Sequence, residues 1–459
     1  MSDSIGDRLA VLVKAYDVRG AAPEVLSGEV AYALGAAFAV ESGAASTPGG
    51  GVVVGRDMRV SSPALAGSIS DGIRSTGADV VDIGLASTDM LYLASGLWDL
   101  PGVMVTASHN PPGDNGLKLC RAGARPVGRD TGLAAVARLA SGDLEPAPEP
   151  GHLAERDALA PYVARLLELV PMPQGARRLK VVVDTANGMG GLVVPPVLSR
   201  LDVDMVGLYL DLDGTFPNHP ANPLDEANLV DLRRAVVEQG ADLGLAFDGD
   251  ADRCFVIDER GEPVSPSAIT ALIASRALVG TPGATILHNV ITSRTVREVI
   301  LEQGGTPVRT PVGHSLIKAE MARTGAVFGG EHSGHYYFRD FYLADSGMLA
   351  ALHVLAALSG SGGTLSDLAA QFDRYHASGE INRSVADAAE VTARVAAAYA
   401  EHDTDRLDGL TVNADDWWFN LRSSQTEPLL RLNVEAVDAE RMRQVRDDVL
   451  ALIEDKENA

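Results

Sequence analysis

Two cysteines in 459 residues, Cys120 and Cys254, are too few and too isolated for a disulfide framework or a thiolate zinc site, which fits a reducing compartment. Cationic side chains are also scarce: 38 Lys and Arg stand against 62 Asp and Glu, and the net charge of -24 repels a nucleic-acid backbone or an anionic bilayer. An anionic ligand must therefore be caught by a local cationic pocket. No apolar run is long enough to cross a bilayer, since the most apolar helical stretch, Met348 to Leu358, is interrupted by His353. Met1 to Leu12 carries Asp3, Asp7 and Arg8 and lacks the basic-then-apolar order of a secretory leader, so a cytoplasmic location without membrane or nucleic-acid partners is expected. There is no Walker A pattern and no strand-linked G-x-G-x-x-G, so neither ATP nor a dinucleotide is indicated as donor.

What is present is a globular composition, 46% hydrophobic, on a chain long enough for three or four cores. Short apolar runs recur, each followed by a Gly-rich or polar loop and then a segment with helical spacing: Val52 to Val54, Val103 to Val105, Val181 to Val183, Leu243 to Phe247 and Ala326 to Phe328. That rhythm predicts an α/β fold. Breaks at Glu145 to Gly151, near Asp258 to Pro266 and at Ser359 to Gly363 read as linkers. They divide the chain into residues 1–148, 149–258, 259–363 and 364–459. The expected fold is three similar mixed α/β domains and a smaller α+β C-terminal domain around a central active-site cleft. Ligands of open α/β sheets bind at the carboxyl ends of the strands, so the loops there are where function is sought.

Four such loops carry chemistry. Thr106-Ala107-Ser108-His109-Asn110-Pro111 follows Val103 to Val105; its serine beside an imidazole is a candidate nucleophile or phosphate carrier, or else a Ser/Thr turn closing the strand. Asp248-Gly249-Asp250-Ala251-Asp252-Arg253 follows Leu243 to Phe247, and in an extended loop its alternate carboxylates share one face. Such crowding calls for a cation, and all-oxygen donors suit magnesium or calcium. An EF-hand is the alternative, with Glu259 in the twelfth position, but Arg253 replaces the Gly that its sharp turn requires. Glu331-His332-Ser333-Gly334-His335 offers a carboxylate and a hydroxyl that can grip adjacent sugar hydroxyls and an imidazole that can move a proton, against the plainer reading of a polar loop. Arg422-Ser423-Ser424-Gln425-Thr426-Glu427-Pro428 supplies a guanidinium, hydroxyls and successive backbone N–H groups that match phosphate oxygens.

A hydroxyl carrier, a carboxylate metal site, a hydroxyl-gripping pair and a phosphate cradle together make a phosphosugar site. T-A-S-H-N-P, D-G-D-A-D-R, G-E-H-S-G-H and R-S-S-Q-T-E-P also stand in the order and spacing of the α-D-phosphohexomutases, which the chain resembles over essentially its whole length. The resemblance implies a phosphorylated Ser108 that completes a Mg2+ shell with Asp248, Asp250 and Asp252. It implies that Glu331 and Ser333 read the sugar's 3- and 4-hydroxyls, and that Arg422, Ser424, Gln425 and Thr426 hold the phosphate that is not transferred. Tyr16 and Arg19 in Tyr16-Asp17-Val18-Arg19-Gly20 are similar to the family's amino-terminal active-site segment, Lys118 resembles its catalytic lysine, His314 a further ligand residue, and Arg253 a substrate contact. Proton transfer is expected of Lys118 with Arg19, and of His335 or His109. Gln425 stands where an Asn is frequent, and Ile291 where some relatives carry a lysine.

The implied reaction interconverts mannose 6-phosphate and mannose 1-phosphate through hexose 1,6-bisphosphate, which also serves as activator, with glucose phosphates as possible further substrates. The segment ending Tyr336-Tyr337-Phe338-Arg339-Asp340 resembles phosphomannomutases more than the glucosamine branch. The alternatives are a phosphoglucosamine mutase, a metal-dependent sugar phosphatase, or a non-catalytic calcium- or sugar-binding protein. A monomer or weak dimer is expected.

Overall fold

The computed structural model describes residues 4–423 and 429–454, with His314 and Ser315 as backbone only. The chain divides into two compact units. The first comprises Met1–Val264, Met321–Gly325 and Ser333–Leu368, and the second Ser265–Glu320, Ala326–His332 and Ala369–Ala459.

The first unit holds two sheets built on one plan. In the first sheet the strand Gly51–Arg56 pairs in parallel with Asp79–Leu85 and with Gly102–Val105. Gly102–Val105 also pairs antiparallel with Asp114–Arg121. The short strand Leu153–Glu155 adds in parallel to Asp79–Leu85 at one edge, beyond the Pro-rich stretch. In the second sheet Leu179–Asp184 pairs in parallel with Leu243–Phe247 and Val203–Leu208, and Leu243–Phe247 pairs antiparallel with Cys254–Asp258. The central strands are buried on both faces, which is why they read as continuous apolar runs rather than alternating ones.

The common plan fixes the functional geometry. In each sheet a buried parallel strand turns directly into an antiparallel neighbour, so the intervening loop is short and anchored at both ends. Val105 lies opposite Leu117 across one such loop, and Phe247 opposite Cys254 across the other. Helices cover the sheets closely: a Cβ on Gly35 would lie 2.3 Å from the Ile69 carbonyl oxygen, and one on Gly72 2.0 Å from that of Tyr32, so these two glycines let the helices Gly28–Glu41 and Ser62–Ser75 touch backbone to backbone.

The unit also contains the hairpin of Tyr336–Phe338 and Ala344–Asp345, and the helix Gly347–Gly360, N-capped by Ser346. The linker expected at Ser359 to Gly363 begins after Gly360, because Ser359 and Gly360 close that helix. The helix is buried nearly all round in the protein, which accounts for its continuous apolar sequence. No helix among the described residues is long and apolar enough to cross a membrane.

In the second unit three parallel strands, Thr306–Thr310, Thr285–Asn289 and Phe328–Gly330, carry the third α/β segment. A separate antiparallel sheet follows, in the order His376–Ser384, Leu429–Ala436, Trp417–Ser423, Leu410–Asn413 and Asp403–Asp405. Alternation along Trp417–Ser423 sends Trp417, Phe419 and Leu421 into a core shared with Val445, Val449 and Ile453 of the C-terminal helix. Trp418, Asn420 and Arg422 lie on the opposite face. Three α/β segments and a smaller α+β segment are therefore present, as the sequence predicts.

Candidate active site

Three of the loops singled out from the sequence meet within the first unit. After Gly102–Val105 the chain bends sharply at Ser108, whose φ of +50° lies in the left-handed region that side chains disfavour. The bend is held on both sides: Ser108 N–H donates to Thr106 Oγ1 at 2.9 Å, and its carbonyl accepts from Arg59 Nη2 at 2.8 Å. The hydroxyl is thereby aimed at the acidic loop, donating to Asp248 Oδ2 at 2.7 Å, with His109 Nδ1 at 3.3 Å. Gly249 makes the approach possible. A Cβ there would lie 2.3 Å from the Ser108 carbonyl oxygen.

Asp248, Asp250 and Asp252 are buried, and each offers a carboxylate oxygen within 4.8 Å of the others. They converge through a turn rather than the extended alternation expected: Ala251 N–H donates to the Asp248 carbonyl at 3.1 Å, and Ala251 sits at φ +61°. Two cations face the three acids. Lys118 Nζ donates to Asp250 Oδ2 at 2.6 Å and to Asp252 Oδ2 at 2.5 Å, while Arg253 Nε and Nη2 reach Asp248 Oδ2 at 3.0 and 2.9 Å.

The protonation energetics follow from this packing. Burial raises Asp248 to about 7 even with Arg253 beside it. At Asp250 burial acts the same way, but the charge and hydrogen bond of Lys118 outweigh it and hold the carboxyl below its ordinary value. Burial opposes the Lys118 ammonium, yet Asp250 and Asp252 push its pKa above the usual lysine value. Burial, with Arg253 and Arg19 nearby, lowers His109 to about 2, so its ring is neutral.

The donor set fits Mg2+. Asp250 Oδ1 and Asp252 Oδ1 are buried without a hydrogen-bond partner, oxygen-only ligands suit a hard cation, and the three acids outnumber the two cations, Lys118 and Arg253, that face them. An EF-hand is excluded by the same geometry. Glu259, in the twelfth position, is engaged by Ser366 through Oε1 at 2.5 Å and Oε2 at 3.1 Å, and the acidic loop runs into the strand Cys254–Asp258, not a helix. Both cysteines are buried, and neither is in a disulfide.

His335 joins this cluster through a β-bridge to Arg253. Its Nδ1 lies 3.0 Å from Ser333 Oγ, and its Nε2 lies 3.7 Å from Asp252 Oδ1 and 4.0 Å from Asp345 Oδ2. Ser333 is thus placed to orient the imidazole. Arg19 is half-buried and reaches the serine loop, donating to Asn110 Oδ1 at 2.8 Å and to Asp17 Oδ2 at 2.6 Å. Tyr16, three residues earlier, is also half-buried.

The other expected residues belong to the second unit. Glu331, 2% exposed, accepts from Asn289 Nδ2 at 3.3 Å and from Gly313 N–H at 3.2 Å. His314 opens the helix His314–Thr324. Arg422 is buried and donates to Glu380 Oε2 at 3.0 Å. Ile291 is buried as well, its N–H donating to Asn289 Oδ1 at 3.2 Å. Ser424, Gln425 and Thr426 lie outside the described residues.

Three residues of the first unit were not singled out from the sequence. Thr88, at the start of the helix Thr88–Trp98, grips Asp250 twice, from Oγ1 to Oδ2 at 2.5 Å and from N–H to the carbonyl at 3.0 Å. Arg59 holds the Ser108 loop, and Asp345 stands beside His335. Thr88 and Arg59 act across long sequence separations, 162 residues for Thr88 and Asp250, so no local pattern could have flagged them.

Comparison with known proteins gives a single result along the whole chain. Four models of the phosphoglucomutase/phosphomannomutase family match in order: α/β/α domain I at residues 10–144, domain II at 160–261, domain III at 265–375 and the C-terminal domain at 380–452. A protein of Xanthomonas campestris named phosphohexose mutases is 42% identical over 428 residues, covering 92% of this chain and 94% of that one. A phosphomannomutase of Escherichia coli K12 is 39% identical over 435 residues, with the same coverage of 92% and 94%. A crystal structure of a phosphoglucomutase/phosphomannomutase family protein from Burkholderia thailandensis superposes with a TM-score of 0.87 at 32% identity, covering 97% of this chain and 98% of that one.

Proposed function

The chain belongs to the phosphoglucomutase/phosphomannomutase family, and from that premise we propose that it interconverts mannose 6-phosphate and mannose 1-phosphate through a phosphorylated Ser108 and hexose 1,6-bisphosphate. The observation that carries the reading is the Ser108 hydroxyl at 2.7 Å from the carboxylate of Asp248, within a buried acidic trio. A hydroxyl held so close to three acids is a poor site for a phosphate dianion unless a cation joins it. Asp248, Asp250 and Asp252, with the phosphate on Ser108, would hold Mg2+, which when bound neutralises charge on the phosphoryl group and favours its transfer.

In the first half-reaction a sugar hydroxyl attacks phospho-Ser108. The bond from phosphorus to the sugar oxygen forms, the bond to Ser108 Oγ breaks, and the sugar hydroxyl gives up its proton. Lys118 and Arg19 supply positive charge to the equatorial oxygens, and proton movement at the two stages falls to Lys118 beside Arg19 and to His335 or His109. The bisphosphate then presents its other phosphate to Ser108, and the second half-reaction reverses the first.

Glu331 and Ser333 read the sugar hydroxyls. Arg422, Ser424, Gln425 and Thr426 hold the phosphate that stays on the sugar, with Tyr16, Arg253 and His314 as further contacts. Support for mannose comes from the names of the relatives and from the resemblance of Glu331 to Asp340 to phosphomannomutases; Tyr336–Phe338 within that segment is a buried strand that packs in the core.

The test is a side-by-side rate comparison on mannose 1-phosphate, glucose 1-phosphate and glucosamine 1-phosphate, with Mg2+ and a trace of hexose 1,6-bisphosphate. Mannose 1-phosphate should give the highest kcat/KM, with glucose 1-phosphate next. A preference for glucosamine 1-phosphate would refute the assignment of substrate, and release of inorganic phosphate as fast as isomerisation would refute mutase activity in favour of a phosphatase.

A further inference from the structure

Arg59 is an arginine with no access to solvent on the first unit of the protein, in the turn Asp57-Met58-Arg59 that follows the strand Gly51–Arg56. Its guanidinium is spent on the backbone of the serine loop. Nη1 donates to the carbonyls of Pro111 at 2.7 Å and Asp114 at 2.9 Å, and Nη2 to those of Ser108 at 2.8 Å and Asn110 at 2.7 Å. Nε faces Asp57 Oδ2 at 3.2 Å. Four of its five N–H groups are donated to main-chain carbonyls, while Nε stands beside Asp57 as an ion pair without a hydrogen bond, an arrangement that needs a planar multi-donor group.

The fork is itself held rigidly. Asp57 Oδ1 accepts from Ser62 Oγ at 2.5 Å and from Arg59 N–H at 3.0 Å, so the acid that balances Arg59 cannot swing away. The Phe216 ring of the second α/β segment covers the guanidinium at 5.1 Å, and Gly214 abuts its main chain, where a Cβ would lie 2.4 Å from Arg59 Cα. Arg59 is therefore fixed by packing before it meets the loop.

What it fixes in turn is the loop's least favourable point. Ser108 adopts φ +50°, a conformation that a non-glycine residue keeps only where its surroundings impose it. Arg59 binds the carbonyl on one side of that bend while Thr106 Oγ1 receives the N–H on the other. The direction of Ser108 Oγ follows from the two together.

We propose that Arg59 is a positioning residue for phosphoryl transfer: its guanidinium templates residues 108–114 so that Ser108 Oγ faces the acidic trio, without touching the sugar. The inference rests on the mutase reading and deepens it. It separates two kinetic constants, because a displaced nucleophile slows transfer while the sugar-phosphate contacts at Glu331 and Arg422 are untouched.

The test compares wild type, Arg59→Lys and Arg59→Ala on mannose 1-phosphate with Mg2+ and hexose 1,6-bisphosphate. Arg59→Lys retains the charge opposite Asp57 but cannot span four carbonyls. It should fold, judged by circular dichroism and the melting transition, and lose roughly 100-fold in kcat, the size expected of a misplacement of about 1 Å, with KM within about twofold of wild type. Transfer of phosphate from bisphosphate to Ser108, followed by intact mass, should slow by the same factor. Guanidinium ion at tens of millimolar should restore Arg59→Ala by about tenfold or more by filling the vacated space, as a detached fork can. Wild-type kcat in Arg59→Lys, or a fall in which kcat follows the folded fraction alone, overturns the proposal. Should Arg59→Ala fail to fold, the Arg59→Lys constants decide. Absence of mutase turnover in wild type would instead overturn the reading on which the inference rests, so the two failures are told apart.

Discussion

Replacing Lys118 by Met probes the electrostatic balance of the site directly. The ammonium lies 2.6 Å from Asp250 Oδ2 and 2.5 Å from Asp252 Oδ2, and both carboxylates are essentially inaccessible to water. Met occupies similar volume, so the change removes charge rather than packing. Stripping one partner from a buried ion pair costs about 3–5 kcal/mol, because the remaining charge stays desolvated and unpaired. Here two carboxylates lose their cation, Arg253 remains committed to Asp248 at 2.9 Å, and the upper half of that range is expected without metal. Mg2+ should reverse the effect in part: a ligand at one hundred times its Kd stabilises by about 2.7 kcal/mol, and the metal meets no competing ammonium in the variant. The assay is urea unfolding of Lys118→Met and wild type, with EDTA and with Mg2+, read by tryptophan fluorescence and far-UV circular dichroism so that multiple transitions are detected. The variant should be the less stable protein in EDTA and should gain more from Mg2+ than wild type does. Equal stability in EDTA, or an equal gain from the metal, would refute the charge accounting.

Three further perturbations separate contributions to the site and to the fold. Gly249→Ala forces a Cβ to 2.3 Å from the Ser108 carbonyl oxygen, so the two loops must part by most of an ångström; kcat should fall about 100-fold, and a variant within fivefold of wild type would contradict the close approach. Thr88→Val removes the hydroxyl that donates to Asp250 Oδ2 at 2.5 Å, and the affinity for Mg2+, measured by calorimetry on the unphosphorylated protein, should weaken about 10-fold or more, with unchanged affinity counting against the assignment. His219 tests pH: burial pulls its imidazole down, but the hydrogen bond and charge of Asp184, 3.1 Å away, outweigh that and raise it. A raised folded value means stabilisation fully present below the unfolded pKa of about 6.5 and lost as pH climbs through the folded one. His219→Gln should therefore be destabilised relative to wild type at pH 6 and nearly equal to it at pH 9; a difference independent of pH would exclude the ion pair.

The division between what the sequence disclosed and what it concealed follows contact range. Ser108, Asp248, Asp250, Asp252 and His335 are legible because a strand end and a short polar loop put the relevant atoms within a few residues of one another. The EF-hand alternative could be weakened from the sequence at Arg253, but the engagement of Glu259 by Ser366 and the strand Cys254–Asp258 after the loop remove it. The acidic trio was expected for an incomplete reason, since a left-handed Ala251 and a turn gather the carboxylates where simple alternation was invoked. Arg59 was invisible: it reads as one more charged residue in a turn, and its partners in the serine loop lie 49 to 55 residues away. Thr88, 162 residues from Asp250, was hidden likewise. The linker at Ser359 to Gly363 starts two residues later than expected because small residues that break surface helices are tolerated where a buried helix ends, here sealed by the Ser361 N–H to Leu358 carbonyl bond.

The central claim, that Ser108 carries the phosphoryl group, is tested most directly by a chase experiment. Protein is charged with hexose 1,6-bisphosphate labelled in its phosphates, freed of ligand, digested and mapped, and a second portion is mixed with unlabelled mannose 6-phosphate in Mg2+. The account predicts label on Ser108 alone, passing to the sugar as bisphosphate in a single turnover, and none of either in Ser108→Ala. Label on another residue, or isomerisation that persists in Ser108→Ala, would contradict it.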